Sequence, residues 1–154
     1  MKPLPHQYIV RLSGEALGYA EASSPGLPTL RVAAPLGFDG PGDAWSPEHL
    51  LLAAVQGCLL LTFRAIARLS QLPFVALDVE TLGTVDKRDG ATRFTEIVLR
   101  PRMTVPAGTD HERARRVLER SEKACLVSAS LATPIRMETT IVEAEVPVPV
   151  YAHQ

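Results

Sequence analysis

The chain has 154 residues, a formal net charge of −1 and an apolar fraction of 46%. That length bounds it to one domain, 1–154, able to bury roughly 70% of its unfolded surface without a disulfide or metal. Acidic and basic residues are mixed along it, and no basic block or stripe appears, which excludes nucleic acid as the main partner.

Residues 7–12, with Tyr8, Val10 and Leu12 on one face, read as a strand. Further short strands are expected around 18–22 and 30–33, parted by the turn signal Ser23-Ser24-Pro25-Gly26. These form an antiparallel meander. A Gly/Pro-rich loop, Pro35 to Trp45, follows and closes a first segment, 1–45. It reads as a plain connector or as the rim of a pocket, with Phe38 and Trp45 as apolar walls.

Residues 46–70 predict the central helix. Ser46 is placed to cap it, Pro47 suits the first helical position, and Glu48 puts negative charge in the first turn. The helix is apolar on nearly every side, which predicts burial all round. Gly57, beside Cys58, is unfavourable in a helix by ~1 kcal/mol against Ala, so a close approach to the backbone is expected there. Interrupted by Gln56 and flanked by Glu48 and Arg64, the apolar run is shorter than the ~20 residues that span a bilayer. The first residues show no apolar core of signal-peptide type. A cytoplasmic protein with no membrane partner is expected.

The segment 74–145 carries a hairpin, a second helix and a last strand. One arm runs from Leu77 to about Val85, Asp86-Lys87-Arg88-Asp89-Gly90 makes the turn, and the return arm runs from Arg93 to Val105. Ile97, Leu99, Met103 and Val105 share the apolar face, while Glu96, Arg100 and Arg102 lie on a solvated one. Pro101 marks this arm as an edge or a bulged strand. Thr109 and Glu112 fit a capping box for an amphipathic helix, with Ala114, Val117, Leu118, Ser121 and Cys125 as its buried stripe. Val127–Leu131 is a turn or short helical piece, and Ile135, Met137, Thr139 and Ile141 form one final strand. The tail, 146–154, alternates Val and Pro and cannot enter a sheet interior. The fold class is α+β, with antiparallel sheets wrapped around a buried central helix plus a second, amphipathic helix. One amphipathic helix is too little cover for so apolar a rod, so a second copy of the chain, an intertwined two-fold homodimer, is expected to complete the core.

Cys58 and Cys125 are the only cysteines. They form no CxxC pair and no zinc-ligand cluster surrounds them. They read either as a redox pair or as two small buried hydrophobes.

The stretch Ser46-Pro47-Glu48-His49-Leu50-Leu51-Leu52-Ala53-Ala54-Val55-Gln56-Gly57-Cys58 resembles the "(N/S)PE-x-L-hydrophobic-A-A-x-x-x-C" signature of the OsmC/Ohr family, osmotically inducible and organic hydroperoxide resistance proteins. Cys125-Leu126-Val127-Ser128-Ala129-Ser130-Leu131 is similar to its second block, C-P-V-S-x-S-L, with Leu126 where Pro is usual. The resemblance implies an OsmC-like homodimer and an antioxidant, stress-response peroxidase that needs no metal or cofactor. Cys58 would be the peroxidatic cysteine attacking an organic hydroperoxide, Cys125 would resolve it into a disulfide, and an external dithiol would reduce that. Glu48 would hold an arginine beside the thiol. The turn and loop where the peroxidase branches keep that arginine, 12–18 and 36–43, contain none, which leaves Arg11 and Arg31 as the nearest basic residues. The other reading of the same resemblance is a dimer that binds an apolar ligand or senses redox state without catalysis.

Overall fold

The computed structural model describes residues 3–145, so the tail at 146–154 lies outside the described residues. Chain contacts divide into two compact units, one up to Leu51 and one from Leu52 onward.

In the first unit, β1 (Arg11–Gly14), β2 (Ala20–Ser23) and β3 (Leu30–Val32) form an antiparallel meander. The first strand begins later than expected: Tyr8, Ile9 and Val10 precede it and are exposed. Its pairing is set by Gly14 opposite Ala20. After β3 the loop winds into one 3-10 turn, Leu36–Phe38, closed by Asp39 at φ +58°. Asp43 ties the loop to the sheet. Its carboxylate accepts from the Tyr19 hydroxyl at 2.9 Å, and its carbonyl accepts from the Arg31 guanidinium at 2.9 Å. Gly40 sits so tightly that an added Cβ would lie 1.7 Å from the Ala34 carbonyl oxygen. Because the obstacle is backbone, Gly40→Ala is expected to destabilise the protein by about 3 kcal/mol, read from urea melts.

Helix α1 (Pro47–Leu69) starts as its sequence dictates. Ser46 is buried, its carbonyl accepts from the Leu50 N–H at 3.0 Å and its hydroxyl accepts from the His49 N–H at 3.3 Å. At 23 residues α1 is long and apolar enough, by length and composition, to cross a membrane, which corrects the expectation that the run is too short. Its packing is that of a core helix. Val55, Leu59, Phe63 and Ala67, spaced by four, are fully buried in a cluster with Leu77, Ile97, Leu99, Met103 and Leu118. The expected burial on every side is not realised within one chain, because a sheet covers only one stripe of a rod: Leu61 and Leu69 are 63% and 80% exposed. Nor does anything crowd Gly57, whose added Cβ would meet no atom within 4 Å.

The second unit is a four-stranded sheet under α1 and α2 (His111–Lys123), with a single-turn helix, α3 (Leu126–Ala129). β4 (Ala76–Arg88) and β5 (Ala91–Val105) form the long hairpin, turning at Asp89 and Gly90, both at positive φ. The register shifts by one residue at Thr95. That bulge returns Phe94 to the core face, where its ring lies over Gly83; a Cβ there would come within 2.5 Å of it. The expected apolar face is correct, since Ile97, Leu99, Met103 and Val105 are all buried.

β5 is not an edge, and its bulge is not at Pro101. β4 lies on one side; β6 (Ile135–Met137) and β7 (Thr140–Glu143) share the other. The final strand is therefore split in two, and both pieces run parallel to β5, whereas the other pairings are antiparallel. The return through α2 allows this, since a helical crossover delivers a strand in the parallel sense. Pro101 explains the split. Leu99 and Val105 use their carbonyls toward β6 and β7, bonding the Glu138 and Ala144 N–H groups at 2.8 Å. Pro101, of the same parity, has no N–H to offer that side, and it falls between the two short partners.

The solvated face of this sheet carries an ion-pair chain. Arg100 bridges Glu80 and Glu138, at 2.8 and 2.9 Å, and Arg136 bridges Glu138 and Glu96. All are substantially exposed, so each pair adds little stability.

Helix α2 buries the stripe its pattern predicts, Ala114, Val117, Leu118 and Ser121, with buried Cys125 beyond its end. Its cap is Asp110, not Thr109: the Asp110 carboxylate accepts from the Arg113 N–H at 3.0 Å. Thr109 instead donates its hydroxyl to the Pro106 carbonyl at 2.6 Å, one residue too early to cap.

Candidate functional site

The second unit brings the two cysteines together. Cys58 is half-buried on α1, one residue before the buried Leu59. Cys125 is fully buried and caps α3. Its N–H donates to the Glu122 carbonyl at 2.9 Å and its carbonyl accepts from the Ala129 N–H at 3.0 Å, so the sharp turn from α2 into α3 holds it from both sides. The two thiols act on one another: each is among the causes of the other's pKa shift.

The environments push the two thiols in opposite directions. Burial raises the pKa of Cys58, but hydrogen bonds from the Cys125 thiol, the Val127 and Leu126 backbone N–H groups and the Thr62 hydroxyl outweigh it, and the net shift is downward. Thr62 lies one helical turn along, its Oγ1 3.9 Å from the sulfur. Cys125 is shifted upward, first by burial and then by Cys58 itself, with a partial offset from Ser128. The Ser128 hydroxyl oxygen is buried with no other hydrogen-bond partner, which leaves it available to donate to a Cys125 thiolate. The resemblance implies an arginine beside the thiol. Here the lowering comes from directed donors, most of them supplied by the Cys125–Val127 turn.

This yields a direct expectation. Thr62→Val keeps the shape and removes one donor, so the pH midpoint of Cys58 alkylation by iodoacetamide is expected to move up, while Cys125 keeps its slower reaction. An unchanged midpoint would show that the hydroxyl does not act on the thiol.

The remaining sequence candidates lie in the first unit. Glu48 and Phe38 line a cleft of about 380 Å3 with Gly18, Ala20 and the Val32–Pro35 segment. Trp45 does not line it. Its ring meets His49 edge-on at 6.4 Å, and its carbonyl accepts from the Ala33 N–H at 2.9 Å. Arg31 is engaged by Asp43 and stacks over the Tyr19 ring, 4.4 Å from its centroid. Arg11 opens β1 and is exposed. Thr62 and Ser128 escaped the sequence reading. Their spacings, four residues after Cys58 and three after Cys125, are the only signal they offer. Among the described residues, no group of three or more His, Cys, Asp or Glu has the geometry to hold a metal ion.

Comparison with known proteins locates the chain. It is 24% identical over 110 residues, 70% of its length and 73% of the relative's, to the uncharacterized protein YmaD of Bacillus subtilis strain 168. Among solved structures, an OsmC-like protein of unknown function from Vibrio cholerae superposes with a TM-score of 0.82 at 16% identity, covering 88% of this chain and 99% of the other. An organic hydroperoxide resistance protein from Elizabethkingia anophelis superposes with a TM-score of 0.74 at 20% identity, covering 94% of this chain and all of the other. At such identities these structures speak for the fold alone. The family model described as OsmC-like protein matches residues 40–140, a span that takes in α1, the hairpin and both cysteines, and the chain belongs to that family.

Proposed function

We propose that the protein is a thiol peroxidase that reduces organic hydroperoxides, with Cys58 as the attacking and Cys125 as the resolving cysteine. What supports this is that both cysteines lie in the span matching the OsmC-like family, Cys58 half-buried on α1 and Cys125 buried at the α2–α3 turn, where their surroundings push the first thiol down and the second up. Solved structures that share this fold carry organic hydroperoxide resistance names, the substrate class proposed here.

The Cys58 thiolate attacks the outer oxygen of ROOH, an S–O bond forms, the O–O bond breaks, and the alkoxide leaves and takes a proton to become ROH. Cys58 is then a sulfenic acid. The Cys125 sulfur attacks Cys58, its proton leaves with the sulfenic hydroxyl as water, and a disulfide results. An external dithiol supplies the two electrons that restore both thiols. The Ser128 hydroxyl can stabilise Cys125 when it leaves as thiolate.

The exposed remainder of α1, including Leu61 and Leu69, fits a homodimer in which a second copy covers the rod. Cytoplasmic location agrees with the need for a dithiol reductant and for two cysteines kept reduced.

The test is to mix reduced protein with cumene hydroperoxide and titrate thiols against time. Loss of both thiols within seconds to minutes, with return on adding a dithiol, is expected. Retention of both for an hour would leave the family's fold as a ligand-binding or sensing dimer instead.

A further inference from the structure

We propose, on the reading of Cys58 and Cys125 as a resolving pair, that Arg113 is a positioning residue: it ties the start of α2 to the end of α1 and so sets the register at which Cys125 meets Cys58. The Arg113 guanidinium donates to the Ser70 carbonyl and lies 3.5 Å from the Gln71 carbonyl. Both carbonyls stand just past the last residue of α1, where Gln71 turns the chain at φ +51° and the helix has no N–H of its own left to satisfy them. A cation there also meets the negative end of the helix dipole. Because the acceptors are backbone, the guanidinium grips a fixed point of α1 rather than a mobile side chain.

Ser70 lies twelve residues after Cys58, and Arg113 lies twelve residues before Cys125. The two arms are equal, roughly 18 Å each at helical rise. Cys58 and Cys125 act on one another at the other end, so α1 and α2 run antiparallel, pinned at one end and meeting thiol to thiol at the other. Between the ends, Leu59, Phe63 and Ala67 of α1 share one apolar cluster with Ala114, Val117 and Leu118 of α2. Apolar contact is non-directional, so it favours the pairing of the helices more than any one axial position. A slip by one residue moves a helix about 1.5 Å, whereas a disulfide accepts Cβ atoms only about 3.5–4.5 Å apart. A directed, charge-assisted bond at the far end removes that freedom.

Equilibrating the intact protein with reduced and oxidised glutathione reads the Cys58–Cys125 disulfide without any hydroperoxide. Arg113→Met keeps an unbranched stem and removes every donor. Its equilibrium constant for closing the disulfide is expected to fall about tenfold, the mark of a lower effective concentration of one thiol at the other. Arg113→Lys, which keeps a cationic donor, is expected to recover most of that loss. Asp110→Ala removes the α2 cap, so it is expected to melt lower yet leave the constant unchanged. With hydroperoxide, Arg113→Met is expected to form the sulfenic acid within about twofold of the normal rate and to close the disulfide about tenfold more slowly. A constant within about twofold of normal in Arg113→Met would overturn the pin. An equal fall in Asp110→Ala would overturn it too, by making the effect one of helix stability, as would an unaltered protein that forms no disulfide. A disulfide that responds to Arg113 while hydroperoxide consumes no thiol would support the pin and remove the peroxidase reading, so the two can fail separately.

Discussion

Cys58→Ser is expected to lower the rate of hydroperoxide reduction on the order of 10³-fold or more, to the background of buffer and free thiol. A serine hydroxyl in the same place has the donors around it but no comparable nucleophile to offer, because the thiolate is the reacting form. Cys125→Ser separates the two steps. Its hydroxyl still has a proton to donate to Cys58, so the first oxidation is expected to continue at a similar rate. It then stops at the sulfenic acid, which dimedone traps and mass spectrometry reads as one adduct on Cys58. Cys125→Ala removes that donor as well, so its first step is expected to slow at neutral pH and to recover as pH rises. The sign follows from the pKa. Cys58 is held below the ordinary thiol value partly by Cys125, so losing that donor moves the midpoint up and leaves less thiolate at pH 7. A Cys125→Ser protein that forms no sulfenic acid, or a Cys58→Ser protein that keeps turnover, would remove the peroxidase assignment.

The largest stability effect is expected at Phe63. It is fully buried at the centre of the α1 stripe, and its ring meets Phe74 edge-on at 4.9 Å between centroids. Phe63→Ala combines lost burial, lost aromatic contact and a cavity closed in by Leu59, Leu77 and the β5 residues. The expected loss is about 3–5 kcal/mol, or roughly 8–16 °C in Tm for a chain of this size. Leu61→Ala, two residues earlier on the exposed side, serves as the control, because in a single chain it leaves no cavity. If Leu61→Ala also destabilises, and does so more strongly at low protein concentration, that face is covered by a second copy.

Several elements were readable from local chemistry. Ser46 and Pro47 announce the start of α1 because a cap needs only a side-chain oxygen and a missing N–H within one turn. The α2 stripe is readable because 3.6-residue spacing is a property of the backbone. The cap of that helix was misplaced by one residue, since Thr109 and Asp110 both qualify and the choice depends on where the Pro106–Gly108 turn leaves them. The edge reading of β5 failed on Pro101. A missing N–H demands a gap in the ladder, and a gap arises equally at an outer edge or where two short partners meet in mid-sheet. The Thr95 bulge left no periodic signature because it corrects the phase of Phe94 in a strand whose other residues already alternate.

Local sequence thus established the helices, the hairpin and the two cysteine blocks, because caps, turns and periodicity act over a few residues. Only the folded chain decided that Cys125 acts on Cys58 and that one thiol is lowered while the other is raised. Three of the four donors that lower Cys58, Cys125, Leu126 and Val127, lie 67 to 69 residues away along the chain, and no local pattern encodes a hydrogen bond made by a distant turn. The same holds for the parallel pairing of β6 and β7, which the α2 crossover imposes.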